Sequence, residues 1–251
     1  MEPRTAYAGV VVAGVAFSAL AAVGVTFVRA PYGRFGATGF GPTLPVRLGW
    51  IVMEAPAPLA FAWGLATGTP RPITMIFAAM WAIWYLNRGL VFPLRLRVRP
   101  GAQTSVTVVG LGALVTTTHG GLFGTWLGRW PPDVAWLADP RFWLGSALFV
   151  AGFAVNVLAD ATLRALRSET SPGGYAIPRG GAFRWVSCPN YLGEIVAWLG
   201  YTLATGCPGG AFIVAITLAN LVPRAIATHR WYRANFADYP ADRRALVPFL
   251  L

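Results

Sequence analysis

Residues 72–94 read PITMIFAAMWAIWYLNRGLVFPL, an apolar run interrupted by one charged residue, Arg88. A helix rises about 1.5 Å per residue, so a run of this length crosses a hydrocarbon core of about 30 Å. Working outward, comparable runs lie at 7–28, 44–66, 104–127, 142–166, 191–206 and 209–228. A chain of 251 residues cannot hide seven such runs in one water-soluble core. It is 56% hydrophobic and 12% charged, where soluble domains are about a quarter charged. The expected fold class is therefore all-α, a polytopic integral membrane protein with seven transmembrane helices in one domain. Pro45, Pro72, Pro140 and Pro208 stand near the starts of runs, where a missing N–H does little harm. Pro56 and Pro58 fall inside the second run and predict a kink or break. The first run is too long for the apolar region of a signal peptide and reads as a span.

All 20 basic residues are arginines, and the formal net charge is +11. They sit between apolar runs, which favours topological signals over a nucleic-acid surface. Arg29, Arg34 and Arg47 lie in the first connection, Arg95, Arg97 and Arg99 in the third, and Arg164, Arg167, Arg179 and Arg184 in the fifth. Arg230, Arg233, Arg243 and Arg244 follow the last run, while the alternate connections carry only Arg71, Arg129 and Arg141. The positive-inside rule then puts the N-terminus outside and the C-terminus in the cytoplasm. The all-arginine, Ala- and Gly-rich usage suggests a GC-rich bacterial genome, hence an inner-membrane location. Cys188 and Cys207 have neither metal nor disulfide spacing and read as packing residues. His119 and His229 are too few and too separated for a metal site. No internal repeat argues for a transporter, and a monomer is the simplest expectation.

Ionisable groups inside a membrane cost about 2.5–3.5 kcal/mol each on insertion scales, so each needs a reason. Three acids lie within or at the ends of runs: Glu54, Asp160 and Glu194. Glu54 either pairs with Arg88 from the third run or serves as an interior functional carboxyl. Asn156, Asp160 and Arg164 are spaced i, i+4, i+8 on one helical face, and Asn190 and Glu194 repeat the i, i+4 spacing. Both stripes adjoin the arginine-bearing fifth connection. They form either a helix-stabilising polar network or a nucleotide site, with carboxylates for ribose hydroxyls and guanidinium forks for phosphate. Tyr85 reads alone as a membrane-belt residue; beside Glu54 it is a candidate proton donor to a substrate carbonyl. No G-x-G-x-x-G motif marks a soluble dinucleotide-binding fold.

Several stretches resemble the steroid 5α-reductases. They are YAIPRGGAFRWVSCPNYLGE (175–194), WLGYTLAT (198–205), HRWYRANFADYP (229–240) and RRALVPF (243–249). The pattern Asn156, Asp160, Arg164, Arg167 also matches, and PYGRF (31–35), WIVME (50–54) and YLNR (85–88) follow family landmarks in order. The resemblance runs from about residue 32 and is densest after Asn156. It implies seven transmembrane helices, NADPH as cofactor, and reduction of the C4–C5 double bond of a 3-oxo-Δ4-steroid. Glu54 and Tyr85 then correspond to the pair that binds the substrate ketone, with Trp50 and Met53 beside the substrate. Arg88, Arg99, Asn156, Asp160, Arg167, Tyr175, Asn190, Glu194, Arg224 and Tyr232 correspond to cofactor contacts. Met53 stands where the family usually has Gln, Ala176 where it often has Arg, and Thr228 where a His contact is usual. The substrate pocket is expected mainly from residues 1–130 and the NADPH part from 150–251.

Hydride addition to an alkene is feasible when conjugation with a ketone carries the developing charge to oxygen, where preorganised donors stabilise the enolate. A phenol stays protonated at neutral pH and suits that role. Two alternatives remain: another membrane sterol C=C reductase, and an S-adenosylmethionine-dependent methyltransferase of the prenylcysteine type. The latter favours Arg-His-Pro where this chain has Ser187-Cys188-Pro189. The topology is testable on a background without Cys188 and Cys207. Arg97→Cys and Arg184→Cys should label from the cytoplasmic side and Asp133→Cys from outside; cytoplasmic labelling of position 133 would reverse the assignment.

Overall fold

Each apolar run becomes helix in the computed structural model, which describes residues 2–27, 41–167 and 175–251. The landmark at 31–35 and the topological arginines Arg29 and Arg34 lie outside the described residues. The elements are α1 (Pro3–Phe27), β1 (Thr43–Pro45), α2 (Val46–Glu54), α3 (Pro56–Ala66), α4 (Pro72–Tyr85), a π-helical turn (Leu86–Val91), α5 (Phe92–Arg95), β2 (Gln103–Ser105), α6 (Val106–Arg129), α7 (Pro140–Ala165), α8 (Pro189–Thr205) and α9 (Gly210–Asn235). Short 3₁₀ turns at Val134–Ala138 and Gly181–Arg184 precede α7 and α8.

Among the described residues, six segments are long and apolar enough to cross a bilayer: Pro3–Gly24, Val46–Ala66, Pro72–Arg95, Val106–Arg129, Pro140–Ala165 and Gly210–Asn235. The run at 191–206 forms α8, a helix of 17 residues, so six rather than seven meet the requirement of length and composition. β structure among the described residues was not foreseen in the sequence. It is confined to the antiparallel pair β1–β2, with Leu44 opposite Thr104, and an isolated bridge between Val186 and Arg244. The pair ties the start of the second span to the start of the fourth.

Local chemistry sets the boundaries. Ser105 caps α6, its hydroxyl accepting from the Thr107 and Val108 N–H groups at 3.2 and 3.4 Å. Asp139 caps α7 by accepting from the Arg141 N–H at 2.8 Å, with Pro140 at the first helical position. Gly206, left-handed at φ 62°, ends α8. The expected interruption of the second span falls at Ala55, between Glu54 and Pro56. Ala55 itself stays helical (φ −58°, ψ −33°), so the break is the missing proline N–H rather than a sharp bend. Across it, the Thr116 hydroxyl of α6 donates to the Met53 carbonyl at 2.7 Å.

The two most extensive helix contacts are α3 with α6 and α7 with α8. Both interfaces are built from glycines that bring backbones together. Gly120, Gly124 and Gly128 of α6, a repeated small-xxx-small pattern, lie against the Ala57, Phe61 and Leu65 carbonyls of α3, and Gly145 and Gly152 of α7 face Gly200 and Gly193 of α8. Lipid is as apolar as leucine, so close packing rather than water exclusion holds such helices together. An aromatic core fills the space between the pairs: Phe61 stacks on Trp81 at 4.7 Å, and Trp84 meets Trp198 at 4.9 Å. Around it α1 lies on α9, and the Tyr7 hydroxyl of α1 reaches α6, donating to the Leu122 carbonyl at 3.1 Å.

A Cβ at Gly152 would lie 2.5 Å from the Ala197 nitrogen, whereas one at Gly9 would meet nothing within 4 Å among the described residues. Gly9→Ala should raise thermal stability in detergent, by up to about 1 kcal/mol from helix propensity. Gly152→Ala should lower it by about 1–3 kcal/mol from overpacking. Equal shifts of the same sign would mean that the α7–α8 interface is not close-packed.

Candidate active site

The third span begins as a regular helix and widens into the π turn Leu86–Val91 directly after Tyr85. Such turns change the angle between successive side chains and recur at functional sites. Here the turn carries Arg88 into the interior. Its Nε lies 3.7 Å from Glu54 Oε1, Nη1 3.9 Å from Asp160 Oδ2, and Nη2 3.4 Å from Glu194 Oε2. Its planar face covers Trp50 at 4.6 Å and Phe92 at 5.0 Å. One guanidinium thus gathers a carboxyl from each of α2, α7 and α8. The alternatives left open for Glu54 and for the two stripes converge on this one cluster.

The stripes are joined to each other as well. The Asn156 amide donates to the Asn190 carbonyl, and the Asn190 amide donates to Asp160 Oδ1, both at 3.0 Å. Asn156 is 2% exposed, so its amide finds its partner in protein rather than in water. Trp50, Glu54, Arg88, Asn156, Asp160, Asn190 and Glu194 therefore form a single assembly. Met53 contributes differently: its carbonyl accepts from Thr116 and its side chain lies against Gly112.

Tyr85 sits beside the assembly, 5% exposed. The sequence pairs its phenol with Glu54, but in the structure the hydroxyl bonds His119 Nε2 of α6. Trp81 and Trp198 close around this pair, with ring centroids 4.9 and 6.5 Å from Tyr85 and 5.3 and 5.4 Å from His119. The result is a polar tip inside an aromatic wall, the arrangement that orients a mostly apolar ligand by one heteroatom.

The remaining predicted residues other than Arg99 lie toward the end of the bundle where α7 finishes and α8 starts. Arg167 donates to the Arg97 carbonyl at 2.7 Å and lies 5.5 Å over the Tyr175 ring. Tyr175 abuts Trp231, which abuts Tyr232, and Tyr232 stacks on Tyr239 at 5.2 Å. Arg224, Thr228 and Tyr232 follow at four-residue spacing on α9. Arg99 is not brought in: it is exposed, and among the described residues its carbonyl alone is engaged, by the Ala102 N–H at 3.1 Å. Beyond α9 the chain folds back. The Ser187 and Cys188 N–H groups donate to the Arg244 and Ala245 carbonyls at 2.8 and 3.1 Å, and Ser187 Oγ contacts His229 Nδ1 and the Tyr239 hydroxyl, each at 2.7 Å.

Arg243 is the residue of this end that the sequence reading did not single out as functional. It is 4% exposed and lies 4.9 Å over Tyr239, and its Nε and Nη1 have no hydrogen-bond partner among the described residues. Buried guanidinium donors without an acceptor are costly and fit an anionic group. His119 stands in no motif of the sequence, and its place beside Tyr85 comes from the packing of α6. An open groove of about 460 Å³ at the opposite end, lined by Trp126, Trp130, Trp136 and the Asp139–Arg141 pair, contains none of these residues. Hydrogen bonds from Arg141 hold the Asp139 carboxyl down to about 2 there.

The family model for 3-oxo-5-alpha-steroid 4-dehydrogenase matches residues 102–251. Steroid 5-alpha-reductase DET2 of Arabidopsis thaliana is 36% identical over 241 residues, spanning 91% of this chain and 90% of that protein. 3-Oxo-5-alpha-steroid 4-dehydrogenase 1 of Bos taurus is 37% identical over 234 residues, 89% of each chain. The chain belongs to the 3-oxo-5-alpha-steroid 4-dehydrogenase family. The human 3-oxo-5-alpha-steroid 4-dehydrogenase 1 is 34% identical over 228 residues. The protein is thus a membrane oxidoreductase of a family that works with a nicotinamide cofactor.

Removing Arg88 would leave three interior carboxyls without their common cation. Breaking a buried ion pair from one side costs about 3–5 kcal/mol. Arg88→Leu should therefore lower the melting temperature in detergent sharply, and adding Glu194→Gln should recover part of the loss. A variant as stable as the parent would show that the cluster does not organise the bundle.

Proposed function

We propose that this enzyme reduces the C4–C5 double bond of a 3-oxo-Δ4-steroid with NADPH as reductant. The observation that carries the reading is the buried Tyr85 hydroxyl with the Glu54–Arg88 pair beside it, set in an aromatic wall. A flat polycyclic enone suits that chemistry, with an apolar body for Trp81 and Trp198 and one carbonyl oxygen for the polar tip. The printed names of two relatives, both 3-oxo-5-alpha-steroid 4-dehydrogenase 1, point to 3-oxo steroids for those proteins and so support the reading.

In this reading Tyr85 donates to the ketone oxygen and stabilises the enolate that grows there as C5 is reduced; protonation at C4 then completes the saturation. Glu54, held by Arg88 at 3.7 Å, lines the same polar tip. Trp50 and Met53 flank it. The aromatic wall excludes water, which strengthens each of these interactions. NADPH, when bound, supplies the hydride. Asn156, Asp160, Asn190 and Glu194 would hold its polar groups near the reacting end, with Arg88 among them. Arg167, Tyr175, Arg224 and Tyr232 would hold the remainder, and the unfilled donors of Arg243 suit its phosphates. Arg99 would join only if its turn moves inward.

The same reading takes the chain as a single monomeric unit, with the substrate pocket mainly from 1–130 and the cofactor part from 150–251. The N-terminus would lie outside, and the arginine-rich end would face the cytosolic NADPH pool. α8 would be a seventh crossing, since 17 residues is at the short limit for a helical span.

Tritium transfer tests the assignment. Membranes given NADPH labelled at the nicotinamide C4 hydride should label progesterone at C5, whereas methyl transfer from S-adenosylmethionine would sink the reductase reading. Tyr85→Phe and Glu54→Gln should each cut turnover by about 10²-fold, the scale of one oxyanion donor, with NADPH affinity preserved. Their double variant should fall far short of multiplicative, because both residues would act on one oxygen. Full activity in Glu54→Gln would remove that residue from the chemistry.

A further inference from the structure

His119 has a contact that the carbonyl-binding pair does not itself account for. It lies on α6, in a segment otherwise composed of Thr, Gly and apolar residues, and it is 3% exposed. A polar ring at this depth costs several kcal/mol unless it is hydrogen-bonded. Its Nε2 meets the Tyr85 hydroxyl, and its Nδ1 is buried with no hydrogen-bond partner among the described residues. The ring is fixed from both sides by Trp81 and Trp198, at 5.3 and 5.4 Å. One turn earlier on α6, Thr116 donates to the carbonyl of Met53, the neighbour of Glu54. A single helix therefore touches both halves of the proposed carbonyl site.

A phenol has one proton. If Tyr85 donates it to His119, the hydroxyl cannot also donate to a substrate ketone. If His119 Nε2–H donates to the phenol oxygen instead, the Tyr85 proton is free to point at the ketone. The two bonds then run in one direction, N–H to O–H to O=C, and aligned donors strengthen one another in a low-dielectric site. The second arrangement also leaves a bare acceptor rather than a donor at the unpartnered Nδ1, and orphaned acceptors are better tolerated than orphaned N–H groups.

We infer that His119 is a positioning residue of the ketone site, donating from Nε2 to the Tyr85 oxygen so that the Tyr85 proton is directed at the substrate carbonyl. This rests on the proposed role of Tyr85, and the experiment separates the two. Progesterone turnover and NADPH affinity would be measured for His119→Phe and His119→Gln, each in the native and the Tyr85→Phe backgrounds. Phe keeps the ring against the two tryptophans but carries no donor, whereas Gln places an N–H near the position of Nε2.

His119→Phe should lower kcat at least tenfold with NADPH affinity unchanged, and His119→Gln should restore most of it. In the Tyr85→Phe background, His119→Phe should add less than a twofold loss. Native kcat in His119→Phe, no rescue by Gln, or an equal tenfold loss without the Tyr85 hydroxyl would each overturn the inference. If His119→Phe cannot be extracted folded, His119→Leu takes its place under the same criteria. If Tyr85→Phe alone retains native kcat, the ketone reading itself has failed, and His119 loses its role with it.

Discussion

A guanidinium inside an apolar bundle has to be met by countercharge, and that requirement organises this molecule. Arg88 can occupy its position because Glu54, Asp160 and Glu194 come to it from three other helices. Each of those carboxyls would be costly by itself at that depth. The cluster is thus a mutual dependence rather than a set of independent salt bridges. Surface pairs such as Arg71–Asp133, both half-exposed or more, carry no comparable constraint.

Charges can be brought together only if the helices hold their register, and the glycine interfaces supply that. Backbone contact between α7 and α8 at Gly152 and Gly193 fixes the heights at which Asp160 and Glu194 emerge. On the other side, Gly120 of α6 against Ala57 of α3 fixes Glu54 relative to Thr116 and His119. The π turn then supplies the last adjustment, carrying Arg88 between the two pairs. Packing, electrostatics and the aromatic wall are therefore three views of one arrangement.

Much of this was legible in the sequence, and the reason is the solvent. Apolar runs and proline punctuation located the helices closely, although α9 runs on past its apolar stretch to Asn235, because inside a bilayer only helices and closed barrels satisfy the backbone. The i, i+4 spacing of Asn156 with Asp160 and of Asn190 with Glu194 put each pair on one face, and the structure joins them by hydrogen bonds. α8 was located equally well, but at 17 residues it falls short of the length that marks the other six segments as membrane-crossing. The partner of Tyr85 was not legible. Which residue of α6 faces Tyr85 depends on the rotation of α6 about α3, and Gly120, Gly124 and Gly128 set that rotation through contacts no pairwise motif records. Nor does any local pattern announce a π turn or a pair of three-residue strands.

The order in which the cluster's members occur along the chain governs its biosynthesis. Glu54 and Arg88 enter the membrane first, on neighbouring spans, as one acid and one base. Asp160 and Glu194 follow on the order of 4–20 seconds later at ordinary synthesis rates of about 5–20 residues per second. The early pair can neutralise itself while the ribosome is still at work, and the two later acids arrive at a cation already in place. The turn before α8 closes later still, once the strand-like segment around Arg244 has emerged to bond Ser187 and Cys188. Insertion can proceed span by span, but the turn before α8 takes its form only after the segment around Arg244 has been made.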